Sequence, residues 1–269
     1  MARSSPRPPV VMIHGAFCGP WVFDSWRALF EKAGYRVHTP ALRHHENGAE
    51  QSRDLASTSL LDYANDLEAL LLELDEPPVL IGHSMGGLLA QMVAARAAVR
   101  ACVLLAPSAP WGVLPSTPFE FMSAQAMLWA GDFWNHRLKP TQWIADAHAL
   151  DHVPEDERRA ISARMVSESG LATFEILYWA FDTKRASAVD PRDVACPLLC
   201  YAGSDDRVNP PSTVRQIAAR YSGRARFEEL EGFSHWLIGE AGWERVEQGA
   251  LDWLAGILAD DSAQTDANI

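Results

Sequence analysis

Six short apolar runs, separated by longer amphipathic segments, leave this 269-residue chain few architectures to choose from. The runs are Val10–Ile13, Arg36–Thr39, Val79–Ile81, Ala101–Leu105, Leu198–Ala202 and Ala225–Leu230. They are read as parallel strands covered on both faces by helix layers. Helices are expected between them at Val22–Ala33, Leu60–Leu74, Met85–Ala97, Thr213–Tyr221 and Trp243–Leu258. In the second of these, Leu60, Ala64, Leu67, Leu71 and Leu74 recur at three and four residues, while Asp66, Glu68 and Glu73 face outward. Regular strand–helix alternation predicts an α/β chain with a doubly wound, mainly parallel sheet and right-handed crossovers.

The alternation breaks once, between Ala109 and Ala195, where helical stretches (Phe119–Ala130, Pro154–Ser169, Leu171–Phe181) follow one another without a convincing strand. A connection of that length is normally functional or a subdomain. The expected organisation is a core of residues 1–108 and 191–259, a helical cap at 109–190 and a flexible tail at 260–269. The cap holds Trp111, Trp129, Trp134, Trp143 and Trp179, half of the ten tryptophans.

Net charge is −12, and the 23 Lys and Arg residues form no run or stripe, which argues against a nucleic-acid footprint or a polybasic membrane contact. No run approaches a membrane span, and the apolar stretch in "MARSSPRPPVVMIHG" is short for a signal peptide. Four scattered cysteines without a CxxC speak for a reducing compartment, and a cytoplasmic location is expected. "RHHE" at Arg43–Glu46 invites a metal reading, but His44, His45 and Glu46 have no third ligand nearby in sequence. No metal or organic cofactor is expected.

Chemistry concentrates at "GHSMGG", Gly82–Gly87, between an apolar strand and a helix. A serine on a sharp strand-to-helix turn is exposed for attack, and Gly82 and Gly86 are small where the turn brings the chain together. The following helix aims its first amides, beginning with Met85, at the place where an oxyanion would form. A plain N-cap role is the alternative for Ser84. A nucleophilic serine needs a base, and the base an orienting carboxylate. Asp205 and Asp206 follow one strand and His235 the last, both at carboxyl ends, where open α/β sheets place their sites. The order Ser, Asp, His fits.

Together "MIHGAF", "GHSMGG", "GSDDRVNP" and "GFSHW" resemble the α/β-hydrolases, over nearly all the chain up to about Leu258. The resemblance implies Ser84 as nucleophile, His235 as general base and acid, and an aspartate orienting His235. Members commonly carry Gly-x-x-Asp at this strand end, which from Gly203 selects Asp206 over Asp205. It also implies the Ala16 amide as a second oxyanion donor beside Met85. The opening stretch is similar to plant methylesterases and hydroxynitrile lyases, implying a six-stranded core. The lyases carry a lysine beside the catalytic histidine, where this chain has Trp236. Phe17, Trp111 and Trp236 adjoin strand ends and are candidate walls of an apolar substrate pocket. The expected reaction is hydrolysis of neutral, hydrophobic carboxylic esters through an acyl-enzyme. Lactone, amide or carbon–carbon bond hydrolysis on the same residues are alternatives, as is a non-catalytic ligand-binding member of the fold.

Overall fold

Residues 7–46, 51–129 and 131–267 are described by the computed structural model. In chain order the elements are β1 (Val10–Ile13), α1 (Asp24–Lys32), β2 (Val37–His38), α2 (Leu60–Leu72), β3 (Val79–His83), α3 (Met85–Ala94) and β4 (Ala101–Leu105). The insert follows with α4 (Pro118–Trp129), β5 (Arg137–Leu138), α5 (Gln142–His148), α6 (Glu155–Arg164), β6 (Glu168–Ser169) and α7 (Gly170–Leu177). The chain returns through β7 (Leu198–Gly203), α8 (Pro211–Ala219), β8 (Ala225–Leu230) and α9 (Trp243–Ala267).

One six-stranded sheet has the order β2-β1-β3-β4-β7-β8, and every neighbouring pair is parallel. Residues two apart on a strand share a face, and the core obeys this. Val11, Ile13, Leu80 and Leu104 pack with Leu67, Leu88 and Ile217 under α2, α3 and α8. Val10, Met12, Ile81 and Val103 pack with Trp26, Phe30 and Leu254 under α1 and α9. The four central strands are fully buried, as expected for parallel strands between helices. The edge strands depart from that expectation: β2 is half-buried, and β8 carries exposed residues in "ARFEEL". Strand order reverses between β1 and β3, so the loops after these two strands diverge and leave a crevice at the carboxyl edge.

The insert differs from the sequence expectation in four places, the first being the further helix α5. Short strands β5 and β6 pair antiparallel, Arg137 with Ser169 and Leu138 with Glu168. The helix expected over Pro154–Ser169 therefore ends at Arg164, because Glu168 and Ser169 are taken up by that pairing. The third expected helix ends at Leu177 and continues only as a short 3-10 turn, Trp179–Phe181. Ala130, the expected end of α4, lies outside the described residues, as do residues 1–6, 47–50 and 268–269. Helix α9 runs to Ala267, beyond the Leu258 end read from sequence and through most of the stretch assigned to the tail.

A buried polar seam ties the insert to the core. Glu168, fully buried, accepts from His45 Nε2 (3.1 Å), the Tyr63 hydroxyl (2.8 Å) and the Ser169 amide (2.7 Å). Burial opposes the charge on His45, but the charge and hydrogen bond of Glu168 raise its pKa above the usual value. Burial likewise opposes the carboxylate of Glu168, and His45 brings its pKa below the usual value. The raised imidazole stabilises the fold fully below its unfolded pKa near 6.5 and loses that contribution as pH climbs through the folded value. The lowered carboxylate contributes above its unfolded pKa near 4.5 and loses that contribution as pH falls through the folded value. The Tm difference between wild type and Glu168→Gln is therefore expected to be largest in between and to shrink at both ends. Thermal melts from pH 3 to 10 measure this; a difference independent of pH is the contrary result.

Candidate active site

Ser84 sits at the end of β3 with φ 54 and ψ −121, a conformation that a non-glycine residue holds only when its surroundings impose it. Those surroundings are well defined. The Ser84 amide donates to the Leu105 carbonyl of β4, and the Ser84 carbonyl accepts from Gly87 and Ser108. A Cβ on Gly82 would stand 2.3 Å from the Gly86 carbonyl oxygen, and one on Gly86 would stand 2.1 Å from the Ile13 carbonyl oxygen. Neither position accepts a side chain, which is the physical reason for both glycines.

The turn presents Ser84 Oγ at 3.1 Å from His235 Nε2, and His235 Nδ1 lies 2.8 Å from Asp206 Oδ2. Asp206 and His235 are 3% and 5% exposed, so the two hydrogen bonds run through a largely dry space. The second oxygen of Asp206 accepts from the Val208 and Asn209 amides at 2.8 and 2.9 Å, an Asx-type turn that fixes the carboxylate beside the ring. Asn209 in turn donates to the Ala106 carbonyl at the end of β4. Since Asp206 accepts at Nδ1, the His235 ring carries its proton there and offers a bare Nε2 to the serine hydroxyl. Asp205 points elsewhere: its side chain is half-exposed, accepts from Ser204 Oγ at 3.1 Å and lies 3.5 Å from His152.

His83 supports His235 from behind. Its Nε2 donates to the His235 carbonyl at 3.0 Å, with the rings 5.0 Å apart. Burial, with the neighbouring His235, lowers its pKa to about 3, so it is neutral. His14 is also neutral, lowered to about 3 chiefly by burial. It accepts from the Leu42 amide and donates through Nδ1 to the Gly15 carbonyl, which shapes the loop after β1. That loop lies directly on the serine turn, since a Cβ on Gly15 would touch Ser84 Cβ at 3.0 Å. Ala16 follows Gly15. Its amide makes no hydrogen bond among the described residues, and Met85 is the first residue of α3, where the amide has no partner within the helix.

The three candidate wall residues are placed differently. Phe17 stays in the loop beside Ser84, with a left-handed φ of 62. Trp236 is 5% exposed and packs against His83 and Trp21. Trp111 meets Trp179 edge-on under the Arg185 guanidinium, within the junction of the insert. A cavity of about 610 Å³ opens beside Asp206, between Thr117, Phe119 and His152 of the insert and Asp205 and Arg207 of the loop after β7. Neither Ser84 nor His235 lines it, so it is distinct from the apolar pocket expected over the serine. His45 of the "RHHE" stretch is taken by Glu168, and no group of three or more metal-ligating side chains occurs among the described residues. No helix among the described residues is long and apolar enough to cross a membrane.

Comparison with known proteins agrees with this fold. The family model described as "Alpha/beta hydrolase family" matches residues 10–248. The chain belongs to that family. A curated relative of this hydrolase is the pimeloyl-[acyl-carrier protein] methyl ester esterase of Aromatoleum aromaticum, 28% identical over 249 residues that span 83% of this chain and 90% of that one. Methylesterase 3 of Arabidopsis thaliana is 33% identical over 91 residues, about a third of each protein (33% and 34%). Among solved structures, a Paleococcus ferrophilus monoacylglycerol lipase superposes with a TM-score of 0.71 at 22% identity, covering 94% of this chain and 96% of that one. This hydrolase is therefore esterase-like in its relatives and α/β-hydrolase in its fold.

The sequence reading missed the supports of the site. The Asx turn from Asp206 to Asn209 has a local signal, an aspartate followed three and four residues later by Asn209 and Pro210. The bond from His83 to the His235 carbonyl spans the chain and has none.

Proposed function

We propose that the protein is a serine carboxylic-ester hydrolase, with Ser84 as nucleophile, His235 as general base and acid, and Asp206 as the group that orients His235. The observation that carries this reading is the continuous hydrogen-bonded line Ser84 Oγ, His235, Asp206 at 3.1 and 2.8 Å. Ser84 Oγ attacks the ester carbonyl carbon while its proton passes to His235 Nε2. Negative charge on the former carbonyl oxygen is received by the Ala16 and Met85 amides, aided by the N-terminal end of α3. Collapse expels the alkoxide, which takes the proton from His235 and leaves as alcohol. Water then gives a proton to His235 and attacks the acyl-enzyme, and Ser84 is regenerated as the acid departs. The imidazolium formed at both steps lies against the Asp206 carboxylate, which lowers the cost of its charge.

For the substrate we infer an ester of a small alcohol with a neutral, mainly apolar acyl part. Two relatives carry methyl ester esterase or methylesterase in their names. The insert contributes aromatic side chains around the core, among them Phe133, Trp134, Phe174 and Tyr178 in mutual contact.

The test combines fluorophosphonate labelling of wild type with turnover of methyl and p-nitrophenyl esters across acyl lengths, with lactones and amides of the same acyl groups in parallel. Labelling and ester turnover that rises with apolar acyl length are expected. Lactone or amide turnover without ester turnover would transfer the site to those bonds. A protein that neither labels nor turns over any of them is a ligand-binding member of the fold.

A further inference from the structure

Four consecutive residues of the insert are each fastened to a different part of the core. The Val166 amide donates to the Phe17 carbonyl at 3.0 Å. The Ser167 amide and carbonyl are both held by the Gln51 side chain, at 2.8 and 2.9 Å, and the same amide nitrogen of Gln51 reaches the His44 carbonyl. Glu168 takes His45 and Tyr63, and Ser169 Oγ donates to the Thr58 carbonyl at 2.6 Å. This strap ends on the loop that carries Ala16.

The chemistry of His45 shows what the strap is anchored to. Its Nδ1 faces the Arg43 carbonyl at 3.0 Å and its Nε2 the Glu168 carboxylate at 3.1 Å. Both nitrogens face acceptors only, so both carry protons and the ring is an imidazolium. It stands 5.3 Å from the His14 ring, which shapes Gly15 from the other side. Phe17 is thus gripped through its carbonyl by the strap, while Gly15 is gripped through its carbonyl by His14. The amide of Ala16 lies between these two fixed points.

We propose that the buried His45–Glu168 ion pair and the Val166 amide act as positioning residues for the reaction, holding the oxyanion loop through the Phe17 carbonyl so that the Ala16 amide is fixed at the carbonyl to be cleaved. This inference rests on the ester-hydrolase reading. The insert then does more than cover the substrate: its segment 166–169 completes the geometry that receives transition-state charge. A loosened strap leaves ground-state binding alone and weakens only what forms at the tetrahedral stage.

Two variants separate this role from stability. Glu168→Gln removes the carboxylate charge of the pair, and Val166→Pro removes the N–H given to Phe17 and puts the ring Cδ in its place, displacing the Phe17 carbonyl while the pair keeps its own partners. Met165, with φ −65 and ψ 144, already holds the extended conformation that a residue before proline prefers. Each is expected to lower kcat roughly ten- to hundredfold with KM within about twofold, the scale of a misplaced reacting group. Affinity for a trifluoromethyl ketone, whose adduct with Ser84 places an oxyanion in the same loop, is expected to fall by the same factor. Glu175→Gln is the comparison: that buried carboxylate also joins insert to core, at Ser59 and Leu60, but does not reach the loop. It is expected to lower Tm and leave kcat near wild type. Should Glu168→Gln not fold, Val166→Pro, which leaves the ion pair in place, carries the decision. Unchanged kcat and ketone affinity in Val166→Pro, with wild type active, overturn the inference alone. A wild type that neither labels with fluorophosphonate nor turns over esters overturns the hydrolase reading itself, and this inference with it.

Discussion

Ser84→Ala is expected to lower ester turnover by about 10⁴- to 10⁶-fold while leaving the fold intact, the range seen when a nucleophile is removed from a hydrogen-bonded triad. The substitution deletes one oxygen from a half-exposed side chain, and the β3–α3 turn is held by backbone bonds to Leu105, Gly87 and Ser108 that alanine keeps. Tm is therefore expected to stay within a few degrees of wild type. Fluorophosphonate labelling is lost in parallel, because no other hydroxyl among the described residues is placed on His235 Nε2. Retention of more than about a hundredth of wild-type turnover would mean that the nucleophile lies elsewhere and that Ser84 serves the helix as a cap.

The second large effect is expected at Asp206. In Asp206→Asn the side-chain oxygen is claimed by the Val208 and Asn209 amides, which already bond Oδ1, so the new NH₂ group faces His235 Nδ1. A donor there forces the ring proton onto Nε2, where it blocks acceptance from Ser84. The expected loss in kcat is about 10⁴-fold, the scale of the wrong-tautomer effect known for such triads. Asp205→Asn is expected to change kcat less than about threefold, because that side chain is half-exposed and touches Ser204 and His152. The pair of variants measured on one ester decides the assignment; a larger loss at Asp205 would reverse it.

The parts of the site that could be read from sequence are those with a local imprint. Gly82, Ser84 and Gly86 follow an apolar strand, and their spacing reflects contacts that tolerate no Cβ. The aspartate was reduced to two neighbours by position at a strand end. Gly-x-x-Asp spacing singled out Asp206, and it is Asp206 that lies on His235. The six strands were legible because buried parallel strands are short and apolar throughout, though β8 at the sheet edge is far more exposed than its sequence neighbours suggested. What stayed hidden has no periodicity to read. Two-residue strands such as β5 and β6 contain less than one repeat of any pattern. An apolar ring looks the same in sequence whether it packs on other rings, as Trp236 does on Trp21 and Trp111 on Trp179, or faces open space. The His45–Glu168 pair joins residues 123 positions apart, and "RHHE" carried no mark of a distant carboxylate.

The contact between Gly86 and the Ile13 carbonyl has a consequence for how the chain acquires activity. The strained turn at Ser84 is not stabilised by its own neighbours alone; it is also pressed into shape by β1 on one side and by the Leu105 carbonyl of β4 on the other. Both are long-range pairings of a parallel sheet, which form late because loop closure precedes any gain from them. A folding intermediate with α2 and α3 already helical would therefore lack a nucleophile, and reactivity toward a serine-directed probe would appear only as the central strands dock. The rate at which labelling competence returns during refolding thus reports assembly of β1, β3 and β4, independently of the rate at which helix content returns.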